Sequence, residues 1–222
     1  MTNYMNVSVK YFHENFINEM KPILEPFGFE FNKASESFLK SFDQGRQYFN
    51  IRKMSRGIEV ELNVIIVNSI VREIIQNVIN VKDKPHDLTL WWQAKKYNYD
   101  KARFFITTEE EIEIGRKNTV EIFNNFALPL FEKYSTIEGI DSLVNTDSEY
   151  PLLGNKSHDT NAMRIIYTGL ITAKLLNRPD FEKIRERNLS NLDRLYIDKK
   201  DACMARFNAV DFDKYRKQWN LG

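Results

Sequence analysis

The chain has 222 residues, 42% hydrophobic, 28% charged and 13% aromatic, proportions of a globular protein able to bury a core without disulfides or metal staples. Lys plus Arg number 32 against 31 Asp plus Glu, a balance that argues against a chain whose main work is neutralising a nucleic-acid backbone or an anionic membrane. The single cysteine, Cys203, excludes an internal disulfide, and MTNYMNVSVKYFHENF lacks the basic start and apolar run of a signal peptide, so a cytoplasmic location is expected. No apolar run reaches the roughly 20 residues of a membrane span, because VELNVIIVNSIV is interrupted by Glu61, Asn63 and Asn68. Abundant Asn and Ile with scarce Gly and Pro point to an AT-rich, bacterial genome.

Val9, Phe12, Phe16, Ile17, Met20, Ile23, Leu24 and Phe27 recur at helical steps, which predicts an amphipathic first helix, bent or ended by Pro22 and stopped at Gly28. The period then becomes two. Phe38, Lys40 and Phe42 share a strand face, Asp43-Gln44-Gly45 is a turn, and Tyr48 to Met54 returns as the partner of a hairpin. After Ser55-Arg56-Gly57 a third strand sets Ile58, Val60, Leu62, Val64 and Ile66 against the core and turns Glu59, Glu61 and Asn63 to a face expected to be solvated. Asn68 or Ser69 caps a helix with an apolar stripe of Ile70, Val71, Ile74, Ile75, Val78 and Ile79.

The loop VKDKPHD precedes two strand-like pieces, LTLWWQ and ARFFITT, joined by AKKYNYDK and read as a hairpin, so an antiparallel sheet of about five strands is expected. From Thr108 the pattern is helical. Thr108 and Glu111 form a capping-box pattern, and a long helix carries Val120, Phe123, Phe126, Ala127, Leu130, Phe131 and Tyr134 with Pro129 as a kink. Ser135 and Glu138 repeat the capping box before Ile140, Leu143 and Val144, and DSEYPLLGNKSHD reads as a loop. A helix from about Thr160 to Leu176 carries Gly169 and Ala173, small residues that let a neighbour approach. Asn177-Arg178-Pro179-Asp180 ends it, Asp180 caps a helix bearing Phe181, Ile184, Leu192 and Leu195, and Phe207, Val210, Phe212, Tyr215 and Trp219 make a tail too aromatic to hang free. The fold class is therefore α+β: an N-terminal helix plus antiparallel sheet over residues 1–106, then an all-helical region over 107–222, packed as one compact unit.

Few residues suggest chemistry. His13, His86 and His158 are scattered and form no metal-ligand spacing. His13 lies beside the apolar face of the first helix and reads as a hydrogen-bonded structural imidazole, while His86-Asp87 and His158-Asp159 read as polar loop pairs. Cys203 in DACMARF reads as a buried inert thiol, and GxGxxG, Walker A and GxSxG signatures are absent. Asp43, Glu59 and Glu61, with Asn63, are the one arrangement that resembles a carboxylate site for a divalent cation, but a nuclease of that type wants a lysine where Asn63 stands. The acidic run from Glu109 is explained by the dipole of a helix start.

The segment LWWQAKKYNYDKARFF is different. Trp91, Trp92, Tyr97, Tyr99, Lys95, Lys96, Lys101 and Arg103 fall within 13 positions. Trp, Tyr and Arg dominate protein–protein hot spots, and interleaved aromatic and basic residues also stack bases and hold phosphates. Strand alternation sends one of the two tryptophans inward.

The first sixty residues add a resemblance. The helix ending MKPILEPFGFEF, the strand ASESFLKSFDQGRQYFNIRKM and the apolar strand IEVELNVIIV resemble small bacterial proteins known as a domain of unknown function. Those proteins share a "Pro-x-Leu-x-x-x-Gly-Phe" type of link, here Pro22-Ile23-Leu24-Glu25-Pro26-Phe27-Gly28-Phe29, and a Phe-x-Arg or Phe-x-Lys strand, here Phe38-Leu39-Lys40. FALPLFEKY in the helical half extends the likeness loosely. Such families are similar in organisation to immunity proteins, which bind and block a cognate toxin, and the resemblance implies no catalytic residue.

The expectation is a cytoplasmic, non-enzymatic protein with a protein partner, recognised through Trp91, Trp92, Tyr97, Tyr99 and Arg103. No catalytic, cofactor-binding or metal residue is assigned, and no cofactor, membrane or nucleic-acid partner is expected. The alternatives are a metal-dependent hydrolase or nuclease using the acidic residues of the sheet, and a nucleic-acid-binding module.

Overall fold

A computed structural model describes residues 9–54, 59–80, 89–145, 159–194 and 200–221. The loops expected at VKDKPHD and DSEYPLLGNKSHD, with His86 and His158, lie outside the described residues. The architecture is α+β: an N-terminal helix, an antiparallel sheet of six strands and a helical C-terminal half.

Helix α1, Val9–Leu24, runs past Pro22 for the rest of its last turn. The chain then tightens into a 3-10 turn, Glu25–Phe27, closed by Gly28 at φ 82, whose N–H donates to the Glu25 carbonyl. That left-handed conformation costs a glycine nothing and any side chain something. Strands β1 (Glu30–Asn32), β2 (Ser37–Phe42), β3 (Gly45–Lys53) and β4 (Glu59–Asn68) follow, and β1 pairs antiparallel with β2, placing Phe31 opposite Phe38. Helix α2, Ser69–Ile79, starts where the Asn68 side chain accepts from the Val71 N–H and ends at Asn80, which has a φ of 54.

The LWWQ and RFF segments form β5 (Leu90–Gln93) and β6 (Arg103–Phe105), and here the structure departs from the hairpin expected. The sheet order is β1-β2-β3-β4-β5, and β6 pairs with β4 as well. The residues between them form a 3-10 turn, Ala94–Lys96, and a one-turn helix α3, Tyr99–Ala102, capped by Asn98. Ala94 and Ala102 are buried at either end of this excursion and fix it to the body of the protein.

Helix α4, Glu109–Ile122, starts with the Thr108 hydroxyl accepting from the Glu111 N–H. The Glu111 carboxylate accepts from the N–H of Thr107 at 2.6 Å, one residue further back than in the usual capping box. The helix widens into a π turn, Phe123–Ala127, before α5, Leu128–Tyr134. Pro129 supplies the reason: it has no N–H, and its ring crowds the preceding turn, so the helix opens on its N-terminal side. Helices α6 (Ile137–Val144), α7 (Asp159–Leu175), α8 (Phe181–Arg194), α9 (Lys200–Asn208) and α10 (Phe212–Gln218) complete the chain. The cap of α6 is Thr136, whose hydroxyl accepts from the Gly139 N–H, rather than Ser135.

By spatial proximity the residues fall into two units. The first comprises the described chain through Phe42 with Arg46–Ile65 and Trp91–Glu132. Its core is aromatic: Phe123 meets the rings of Phe27, Phe29 and Phe49 at 5.1, 5.5 and 5.3 Å, and Phe29 meets Phe131 at 5.3 Å. The second comprises Asp43–Gly45, Ile66–Leu90 and the chain from Lys133. There α7 is the central helix, touching α2, α6, α8 and α10. The stripe on α2 packs with Tyr167, Leu170, Ile171, Phe181, Cys203 and Phe207. Arg178 joins α6 to the start of α8, donating to Asp141 at 2.7 Å and to Asp180 at 2.8 and 2.7 Å. No helix among the described residues is long and apolar enough to cross a membrane.

Candidate protein-binding surface

Strand β4 organises the surface. Its polar side does not face solvent as expected: Glu61 is 1% exposed and Asn63 2%. A buried carboxylate needs a partner, because desolvation otherwise expels the charge. Lys95, in the 3-10 turn of the excursion, donates to Glu61 at 2.8 Å. Two residues along the strand, Glu59 receives Arg103 in a two-pronged contact, Nε to Oε1 at 2.5 Å and Nη2 to Oε2 at 3.0 Å. In the β4–β6 register Glu61 stands opposite Arg103 and Glu59 opposite Phe105, so the Glu59–Arg103 contact runs diagonally, to the same-face neighbour two positions along. The Arg103 guanidinium holds the Glu59 carboxyl below its ordinary range and is itself held more firmly protonated. Lys101 makes a further ion pair with Glu121 of α4.

Three of the four cations that made the segment look suited to phosphates, Lys95, Lys101 and Arg103, are thus matched by carboxylates, while Lys96 is exposed. The carboxylates of Glu59 and Glu61, considered for a metal site, are likewise held by cations. Among the described residues, no group of three or more His, Cys, Asp or Glu side chains is placed to hold a metal ion. Asp43 is exposed at the hairpin turn.

The aromatics remain available. Trp91 is 36% exposed, Tyr97 54% and Tyr99 58%, while Trp92 is half-buried. Two of the three exposed rings are braced. Tyr97 stacks on Phe126 of the π turn with centroids 4.8 Å apart and planes at 20°. Tyr99 receives a hydrogen bond from Arg103 Nη1 at 3.4 Å, and the guanidinium lies 6.0 Å from its ring centre. Spacing along the sequence brings Tyr99 and Arg103 together, four residues apart across α3. It gives no hint that Glu59, Glu61 and Phe126 belong to the same surface, although Pro129 marks the irregular turn that presents Phe126.

The other sequence candidates are structural. His13 is buried and its Nε2 has no hydrogen-bond partner, while Cys203 is fully buried with Arg206 Nη2 3.4 Å from its sulfur. Compared with family models, curated proteins and solved structures, the chain matches none. The reading of this surface therefore rests on its own geometry.

Proposed function

We propose that this is a non-enzymatic binding protein of the immunity kind, which engages and blocks a protein partner through the excursion between β5 and β6. The observation that carries the reading is the coincidence of exposed Trp91, Tyr97 and Tyr99 with a cluster in which three of four cations, all but Lys96, are matched by carboxylates. Rings of this type supply large contact area at low entropic cost, and bracing by Phe126 and Arg103 reduces the ordering still to be done on binding. Affinity for a nucleic acid, by contrast, needs unpaired cations to release counterions. The immunity role within that class is taken from the resemblance in residues 22–40 and in FALPLFEKY, whose motifs are structural.

The test is co-expression with the product of an adjacent toxin gene, followed by calorimetry of the purified pair. Trp91→Ala, Tyr97→Ala and Tyr99→Ala should each weaken binding by about 1–2 kcal/mol while leaving the melting temperature within a few degrees. Unchanged affinity in all three variants would remove the surface assignment, and a toxin that the wild-type chain neither binds nor neutralises would remove the immunity role.

A further inference from the structure

Asn145, which closes α6, has every polar atom satisfied but one. Its N–H donates to the Asp141 carbonyl at 2.9 Å, its carbonyl accepts from Arg187 Nη2 at 3.0 Å, and its Nδ2 donates to Asp141 Oδ1 at 2.6 Å and to the Gly169 carbonyl at 2.8 Å. The remaining atom, Oδ1, has no hydrogen-bond partner in the chain, although the residue is only 5% exposed. Turning the amide over gives no relief, because its oxygen would then face the Asp141 carboxylate and the Gly169 carbonyl. On α8, Asn188 is equally buried, and its Nδ2 is a donor without an acceptor. The two orphans converge on α7: Asn145 Oδ1 and Asn188 Nδ2 lie 2.6 and 3.4 Å from the point where a Cβ would stand on Gly169.

We infer that an internal water molecule binds here, donating to Asn145 Oδ1 and accepting from Asn188 Nδ2, and that it links α6 to α8 across the glycine of α7. The chemistry of the pair selects the ligand. One group lacks a donor and the other an acceptor, and water supplies both roles from one atom, which is how buried polar groups left over by the chain are ordinarily satisfied. A cation would be turned away by the Asn188 N–H groups and an anion by Asn145 Oδ1. Both orphan atoms are shut off from bulk solvent, so leaving them unpaired would cost the full desolvation of each. Gly169 completes the site, because any side chain there would begin at the point on which the two amides converge. This water site and the surface between β5 and β6 stand or fall separately.

The experiment uses the whole chain. A crystal structure at a resolution that shows ordered solvent should place one water molecule about 2.7–3.2 Å from both Asn145 Oδ1 and Asn188 Nδ2. A direct hydrogen bond between the two side chains, or no water between them, overturns the site. In solution, the Asn188 side-chain amide of isotope-labelled protein should show a cross-relaxation peak to water, with the sign that marks a long-lived internal molecule. Absence of that peak in the wild type counts against the site as well. Gly169→Ala sets a methyl group at the point of convergence, so the peak should be lost, and its persistence in a folded Gly169→Ala chain would overturn the role given to the glycine. Both wild-type measurements decide the matter even if that variant does not fold.

Discussion

Lys95 Nζ donates to Glu61 Oε2 at 2.8 Å, joining a surface turn to a carboxylate that is almost wholly buried on β4. The two ends are unequal, since the Lys95 side chain keeps 26% of its exposure and Glu61 only 1%. Removing the lysine leaves an uncompensated charge in the interior. Lys95→Met should therefore cost about 3 kcal/mol, and pairing it with Glu61→Gln should recover most of the loss. The midpoints of urea unfolding for both single variants and the double variant decide it, and simple additivity would show the contact to be uncoupled.

His13 gives a pH dependence of defined sign. Burial, with Lys53 nearby, lowers its pKa from 6.5 in spite of Glu36 and Glu14. The folded chain thus binds a proton less readily than the unfolded one. Its contribution to stability is complete above the unfolded pKa of 6.5 and declines as the pH falls through that value towards the lower folded pKa. Melting curves between neutral and mildly acidic pH should show a steeper loss for the wild type than for His13→Gln. Parallel curves would remove the histidine as the cause.

Gly169 on α7 lies against the side chain of Asn145. A Cβ at this position would come within 2.6 Å of Asn145 Oδ1, and Asn145 is not free to swing away because its Nδ2 donates to Asp141 at 2.6 Å and to the Gly169 carbonyl at 2.8 Å. Alanine ordinarily gains about 1 kcal/mol over glycine inside a helix. Here the overpacking should outweigh that gain and leave Gly169→Ala less stable by roughly 1–2 kcal/mol, as measured by chemical denaturation. A stabilised variant would contradict the close approach.

The ion pairing of Lys101 and Arg103 can be undone deliberately. Glu59→Gln/Glu121→Gln frees Arg103 and Lys101 from their carboxylates without changing side-chain shape. The variant should elute later than wild type from a heparin column and acquire a salt-dependent affinity for single-stranded DNA, with a slope of about two cations released. Identical elution would mean that other groups set the electrostatics of this face.

The helices were the more legible part of the chain, because their signals are local. The stripe from Ile70 to Ile79 is buried in full, Asn68 and Thr108 cap as their neighbours require, and α7 lies within a residue of its expected ends. Asn177, with a φ of 50, follows α7 where the sequence placed a stop. At α6 the cap moved one residue, from Ser135 to Thr136, a difference that a run of two hydroxyl residues leaves open.

The sheet was legible in outline but not in what covers it. Alternation along β4 separates Glu59, Glu61 and Asn63 from Val60, Leu62 and Val64 correctly. A period of two, however, says only that the faces differ and not that one is wet. Burial of Glu61 depends on Lys95, 34 residues away in sequence, and the Glu59–Arg103 pair spans 44. The hairpin expected for β5 and β6 failed for the same reason: both strands satisfy their backbone groups on β4, a partner that local pattern does not identify. The aromatic composition of the surface was readable in the sequence, whereas its charge balance was not.

Strand β4 is flanked by β3 on one side and by β5 and β6 on the other, and it is the longest strand in the sheet. Its amide protons should exchange only in the rarest openings of the sheet. The carboxylate of Glu61 is therefore mounted on an element that opens late, while its partner Lys95 sits on a short excursion that can loosen early. Local opening would release Lys95 before it disturbed the strand, so for brief intervals the same surface would present positive charge, on a timescale set by the excursion and not by global unfolding.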